Sequence, residues 1–269
     1  MKFTLKGLLA VAAAASALVL SGCGEKAQDN SKIKVGVMAG AEAQVAEVAA
    51  KVAKEKYDLD VELVTFTDYV TPNAALDDGS VDVNAFQHKP YLDQQIEDRG
   101  YKLAIAGNTF VYPIAGYSKQ VKSVDEIKDG SRIAVPNDPT NLGRSLILLE
   151  QQGLIKLRDN VGLQATVRDI VANPKNIEIV ELDAAQLPRS LDDVALSIIN
   201  TTYASSINLT PEKDGIFVED KESPYVNLIV ARENNVNNEN VKNFVKAYQT
   251  DEVYQAASKI FNGGVVKGW

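Results

Sequence analysis

A chain of 269 residues, 45% hydrophobic and 24% charged, has the balance of a folded globular protein and the length for one large domain or two lobes. A formal net charge of −8 excludes the basic footprint of a nucleic-acid binder. With one histidine and one cysteine, an internal disulfide is impossible and a clustered His/Cys metal site lacks ligands.

Lys2 and Lys6 precede an apolar run over 7–20, which ends in LSGC (20–23). A basic start, a short apolar stretch and small residues at the cut describe a secretory signal over 1–22, and the run is too short for a standard transmembrane span. LSGC resembles the bacterial lipobox, in which the cysteine is lipidated and becomes the mature N-terminus. That resemblance implies Cys23 as the lipidation site, with several acyl chains, enough for stable membrane anchoring. GEKAQDNSK (24–32) is polar, and a flexible tether is expected over 23–32.

IKVGV (33–37), β-branched and followed by Gly40, predicts a buried strand. Residues 42–57 place Val45, Val48, Ala49, Val52 and Ala53 at helical spacing, and DVELVTF (60–66) alternates toward a second strand. Asp77-Asp78-Gly79 with Asp82 lacks calcium-loop spacing and predicts a turn. LAIAG (103–107) and FVYPIAGY (110–117) predict strands, SVDEIKDG (123–130) a short capped helix, and RIAVP (132–136) another strand. A helix is expected after Pro139, a strand at IEIVEL (177–182), a helix over 184–192 and a strand at ALSIIN (195–200). This alternation predicts an α/β architecture with largely parallel sheets. Extended stretches over 111–118 and 223–232 read as two crossovers, so that the chain builds one lobe (33–114), passes to a second (115–224) and returns to complete the first (225–269). Hinged two-lobe binding proteins close by bending such connections.

Catalysis is poorly supplied. His88 is the only imidazole, and neither G-x-S-x-G nor S-x-x-K accompanies it, so no catalytic residue is assigned. Binding is better supplied. DVNAFQHKPYLDQQ (82–95) puts Phe86 and His88 on one side of an extended segment, with Pro90 in the first turn of the next helix and Tyr91 beside it. Aromatic faces offer apolar area, and they attract thioether sulfur by about 0.3–1.5 kcal/mol per contact. In VPNDPTNLGRSL (135–146), Asn137, Asp138, Thr140 and Asn141 carry cap or turn chemistry, and Arg144 follows on the first helical turns. A cation there opposes the helix dipole, which points to an anionic partner, although a solvated surface arginine reads equally well. Asn200 ends an apolar run at the C-terminal edge of a strand, where open α/β sheets place ligands. Asn227 lies in the second proposed crossover, where an unpartnered carboxamide would cost roughly 1–3 kcal/mol; a ligand or the backbone could satisfy it.

LSGC, IKVGVMAGAEAQVAEVA, VELVTFTDYVTPNAAL, NAFQHKPYLDQQ, GNTFVYPIAGYS, IAVPNDPTNLGRSL, LPRSLDD, INTTYA, DKESPYVNLIVAR and FNGGVVKGW occur here in that order. Together they resemble the NlpA/MetQ-type methionine-binding lipoproteins, the substrate-binding components of methionine ABC importers, over essentially the whole chain. The resemblance implies a type II periplasmic-binding-protein fold, two α/β lobes joined by two hinge crossovers around a ligand cleft. It implies methionine as ligand, a membrane permease and its ATPase as partners, and no cofactor, metal or enzymatic activity. Carried over by motif, Tyr69, Phe86, His88 and Tyr91 would line the side-chain pocket, Arg144 would pair with the carboxylate, and Asn200 and Asn227 would bind the head group. His88 would then be a cleft-wall residue rather than a catalyst. Other readings keep the fold with another small amino acid, a dipeptide or a sulfur compound as ligand, or make the chain a surface adhesion lipoprotein; the latter lacks the expected repeat or stalk.

Overall fold

The computed structural model describes residues 31–220 and 223–269; the signal segment, Cys23 and most of the tether lie outside the described residues. In chain order come β1 (Lys32–Met38), α1 (Ala41–Tyr57), β2 (Asp60–Phe66), α2 (Thr71–Asp77), β3 (Val83–His88), α3 (Lys89–Arg99) and β4 (Leu103–Val111). Then follow β5 (Ala115–Tyr117), β6 (Arg132–Pro136), α4 (Pro139–Gln151), β7 (Lys156–Leu157), β8 (Ile170–Ala172), β9 (Glu178–Leu182), α5 (Leu187–Ser190), β10 (Leu196–Ile199), α6 (Thr201–Ser206), α7 (Pro211–Asp214) and β11 (Phe217–Val218). The chain closes with β12 (Val226–Arg232), α8 (Glu239–Tyr248), α9 (Asp251–Ile260) and β13 (Val266–Lys267).

Two sheets organise these elements. The first runs β13-β4-β12-β3-β1-β2 and the second β11-β5-β10-β6-β9, with a small β7-β8 pair beside them. α1 forms because Val45, Ala46, Ala49, Val52 and Ala53 make one fully buried face at helical spacing. That face packs on Val35 and Val37 of β1 and on Phe244 of α8. The second sheet has its own core, where Ile133 and Val135 of β6 and Leu196 and Ile198 of β10 meet Leu146 and Leu149 of α4. A third apolar cluster draws on both sheets: Met38, Phe86 and Tyr91 from the first, Tyr117, Leu187 and Tyr203 from the second.

Five expectations change. The sheets are mixed rather than largely parallel: β2, β1 and β3 run parallel, but β12 is antiparallel to both its neighbours, β3 and β4. In the second sheet β9, β6 and β10 are parallel, β5 runs against them, and β11, antiparallel to β5, runs with them. Local periodicity is blind to the direction in which a returning strand is inserted. The stretch expected as a second crossover is mostly β12, an interior strand, so the crossing falls between Val218 and Val226, and Asn227 stands in the strand just beyond it. LAIAG and the start of FVYPIAGY form the single strand β4, and only Tyr112 to Ile114 pass between the sheets. The helix expected over 123–130 shrinks to the 3-10 turn Val124–Glu126, as Gly130 N–H donates to the Lys175 carbonyl at 2.8 Å. That expected over 184–192 splits into a 3-10 turn, Ala184–Gln186, and α5, whose first turn contains Pro188 and so lacks an amide to continue the earlier turn.

Candidate ligand-binding site

β3 is buried along its whole length, and it delivers two of the expected residues, Phe86 and His88, to the end nearest the second sheet. His88 is also the N-cap of α3: its Nδ1 accepts the Tyr91 N–H at 3.2 Å, with Pro90 in the first turn. With Nδ1 as acceptor, the ring proton belongs on Nε2, which donates to Asn141 Oδ1 at 3.2 Å. Burial, and secondarily the nearby Arg144 charge, push the His88 pKa down to about 3, so the imidazole is neutral at physiological pH.

Facing it, α4 is capped by Asp138, whose Oδ1 accepts the Asn141 N–H at 2.9 Å and the Thr140 hydroxyl at 3.0 Å. The Asn141 side-chain nitrogen donates to both Asp138 oxygens, at 3.0 and 2.9 Å, which turns its carbonyl oxygen toward His88 and toward Asn200 Nδ2 at 2.9 Å. Asp138 has its pKa raised by burial, against the lowering effect of those hydrogen bonds. Asn200 directly follows β10 as the N-cap of α6, and its Oδ1 is buried without a hydrogen-bond partner among the described residues. A lone buried acceptor of this kind calls for a donor.

Arg144, 4% exposed, lies where the two crossings meet. Its Nε donates to Glu219 Oε1 at 2.8 Å, and its Nη2 donates to Glu219 Oε2 and, at 3.0 Å, to the Tyr112 carbonyl. The guanidinium carbon stands 4.3 Å from the centre of the Tyr225 ring. Asn227 is paired with His88 across β12 and β3, and its Nδ2 donates to the Phe86 carbonyl at 3.1 Å.

The remaining wall is aromatic. Tyr69 lies 6.0 Å from Phe86, 6.2 Å from Tyr91 and 5.0 Å from Tyr203 between ring centres, and the Tyr91 hydroxyl donates to the Tyr69 carbonyl at 2.8 Å. Burial raises the pKa of Tyr69, Tyr91 and Tyr203, so all three phenols stay protonated.

These groups surround one cavity. Tyr69, Phe86, His88, Tyr91, Arg144, Asn200 and Asn227 all line it. Sequence reasoning missed Gln87, Tyr112, Thr201 and Thr202 on its wall, and it read Asn141 only as cap chemistry. The polar triplet Asn200-Thr201-Thr202 closing an apolar strand was the available signal. Glu219, which neutralises Arg144, had none.

The family described as NlpA lipoprotein matches residues 33–269. The chain is 84% identical to the "Probable D-methionine-binding lipoprotein MetQ" of Vibrio cholerae over 269 residues, covering all of both chains. It is 70% identical, again over the full length of both, to the "D-methionine-binding lipoprotein MetQ" of Escherichia coli. A solved structure of a nutrient binding protein from Burkholderia cenocepacia bound to methionine superposes with a TM-score of 0.86 at 51% identity, covering 88% of this chain and all of that one. The fold is accordingly that of a periplasmic binding protein, its relatives are binding proteins rather than enzymes, and this chain belongs to the NlpA lipoprotein family.

Proposed function

We propose that this chain is the substrate-binding lipoprotein of an ABC importer, capturing methionine in the cavity between two lobes and passing it to a membrane permease driven by an ATPase. The observation that carries this reading is the cavity's polarity: aromatic faces at one end, and at the other Arg144 and the unpartnered acceptor Asn200 Oδ1. That pattern suits a zwitterion with an apolar, polarisable tail. Tyr69, Phe86, His88 and Tyr91 hold the thioether, Arg144 meets the carboxylate, and Asn200 and Asn227 bind the head group. The lobes are residues 33–114 with 225–269, and 115–224, hinged at the two crossings. Lipidation at Cys23 anchors the protein at the cell envelope, facing away from the cytoplasm. Its role is capture rather than chemistry.

Methionine's few non-hydrogen atoms, at a ceiling of about 1.5 kcal/mol each, allow roughly 13 kcal/mol. Nanomolar binding needs about 12 kcal/mol, so it requires that almost every polar group be matched. Calorimetric titration of L-methionine into the full chain, unfolded and refolded first to strip bound ligand, tests this. Sub-micromolar one-to-one binding is expected. Absence of heat at several temperatures, from folded protein, would remove methionine and turn the search to other amino acids and sulfur compounds.

A further inference from the structure

Glu42 stands in the first turn of α1, on the side of the first sheet, yet is only 3% exposed. Its carboxyl accepts the hydroxyl of Thr202, a buried residue of α6 that follows the second sheet's β10 and lines the cavity. The two residues are 160 positions apart in sequence, and they join opposite halves of the molecule. The same hydroxyl also acts on the Tyr69 phenol.

The titratable groups facing this carboxyl are phenols: Tyr69 before α2, Tyr112 in the first crossing, Tyr203 of α6 and Tyr248 of α8. Each feels the Glu42 charge as an unfavourable neighbour, and each keeps its proton above the ordinary tyrosine range. The amides at the start of α1 favour an anion, but the surroundings supply phenols and a hydroxyl where an ionised carboxylate needs a cation.

We propose that Glu42 is a positioning residue for ligand capture, which joins the two halves through Thr202 when the cleft shuts, and that shutting the cleft takes up a proton. This rests on reading the cavity as a ligand site between hinged lobes. When the lobes part, Thr202 leaves with α6 and water reaches Glu42. Burial in the shut form raises the carboxyl's pKa from its ordinary 4.5 to about 8, against the opposing pull of Thr202. The shut form therefore holds more protons than the open one between these values. Low pH favours closure, and ligand affinity falls as pH rises, by at most about tenfold per unit.

Other groups in the wall do not mimic this. His88 stays neutral above about pH 3. Asp138, also raised by burial, contributes equally to the protein with and without Glu42.

The test is calorimetric titration of L-methionine into the full chain at pH 6, 7 and 8, in buffers of different ionisation enthalpy, for the natural protein and Glu42→Gln. Glutamine keeps an acceptor for Thr202 but does not titrate. The natural protein is expected to take up protons on binding and to lose affinity about fivefold or more from pH 6 to 8. Glu42→Gln should lose most of both effects. Equal proton uptake and equal pH slopes overturn the proposal. Thr202→Val guards against misfolding of Glu42→Gln: without the hydroxyl that favours the ionised carboxylate, the fall in affinity moves to higher pH, and no movement counts against the latch.

If the natural protein gives no heat with methionine, the ligand reading fails and the latch is judged without ligand. Spin labels at Glu97→Cys on α3 and Val171→Cys on β8, in a full chain carrying Cys23→Ser, report the width of the cleft. Widening from pH 6 to 8.5 that Glu42→Gln abolishes supports the proposal; distances that ignore pH, or respond equally in both proteins, overturn it.

Discussion

Asn141, read from the sequence only as cap chemistry, fixes the site more than any residue assigned there to ligand binding. Its amide nitrogen is held by both Asp138 oxygens, so its carbonyl oxygen must face His88 Nε2 and Asn200 Nδ2. Asn141→Leu therefore leaves two buried donors without an acceptor, at roughly 1–3 kcal/mol each. The expected result is a lower midpoint in thermal unfolding together with weaker methionine binding. Asn227→Ala should weaken binding by roughly 1–3 kcal/mol in calorimetry, and an unchanged affinity would remove Asn227 from the site. Glu219 belongs at this scale too. It balances a guanidinium that is nearly inaccessible to water, and Glu219→Ala leaves that charge uncompensated. Urea unfolding should show a loss of about 3–5 kcal/mol.

Among the elements, α4 shows how a helix can be aimed as well as formed. Asp138 caps it and positions Asn141, while Gly143 lets the backbone around Leu163 come close. A Cβ at Gly143 would lie 2.1 Å from the Leu163 carbonyl oxygen, so the 162–165 segment would have to move. Gly143→Ala improves intrinsic helix propensity, yet it should destabilise by about 1–3 kcal/mol in urea unfolding, because overpacking against backbone outweighs the propensity gain. α3 follows the same logic from the other side: its N-cap is His88, so the residue that starts the helix is also the cavity wall. From that wall Gln87 reaches back to Asn73 and Asn84 in a buried amide cluster, with Asn73 Nδ2 donating to Gln87 Oε1 at 2.8 Å. Both helices were legible as helices, since Pro90 and the Asp138-Pro139 pair are strong local start signals. Their joint wall was not, because nothing local brings residues 88 and 141 together.

Across the whole molecule, Glu42 ties stability to pH. Its pKa is raised in the folded protein, from an ordinary 4.5 to about 8, so its contribution is fully present below pH 4.5 and is lost as pH rises toward 8. The slope is at most about 1.4 kcal/mol per pH unit. With the cleft held shut by saturating L-methionine, the unfolding free energy should fall more between pH 5 and pH 8 for the natural protein than for Glu42→Gln; parallel pH profiles would show that the carboxyl is ionised when the cleft is shut.

The sequence by itself determined the elements whose apolar spacing is local, such as the buried face of α1 and the strands β1, β2, β6 and β10. It also determined the starts of α3 and α4 and the aromatic segment around His88, and its motif order pointed to the family. Only the tertiary structure decided that β12 enters between β3 and β4, that Glu219 neutralises Arg144, and that Glu42 is buried under Thr202. An acid in the first turn of a helix reads as solvated and favourable to the dipole. Its burial depends on an element 160 residues away, and hydrophobic periodicity, which reports only which side of a segment is apolar, carries no record of what will be packed against it.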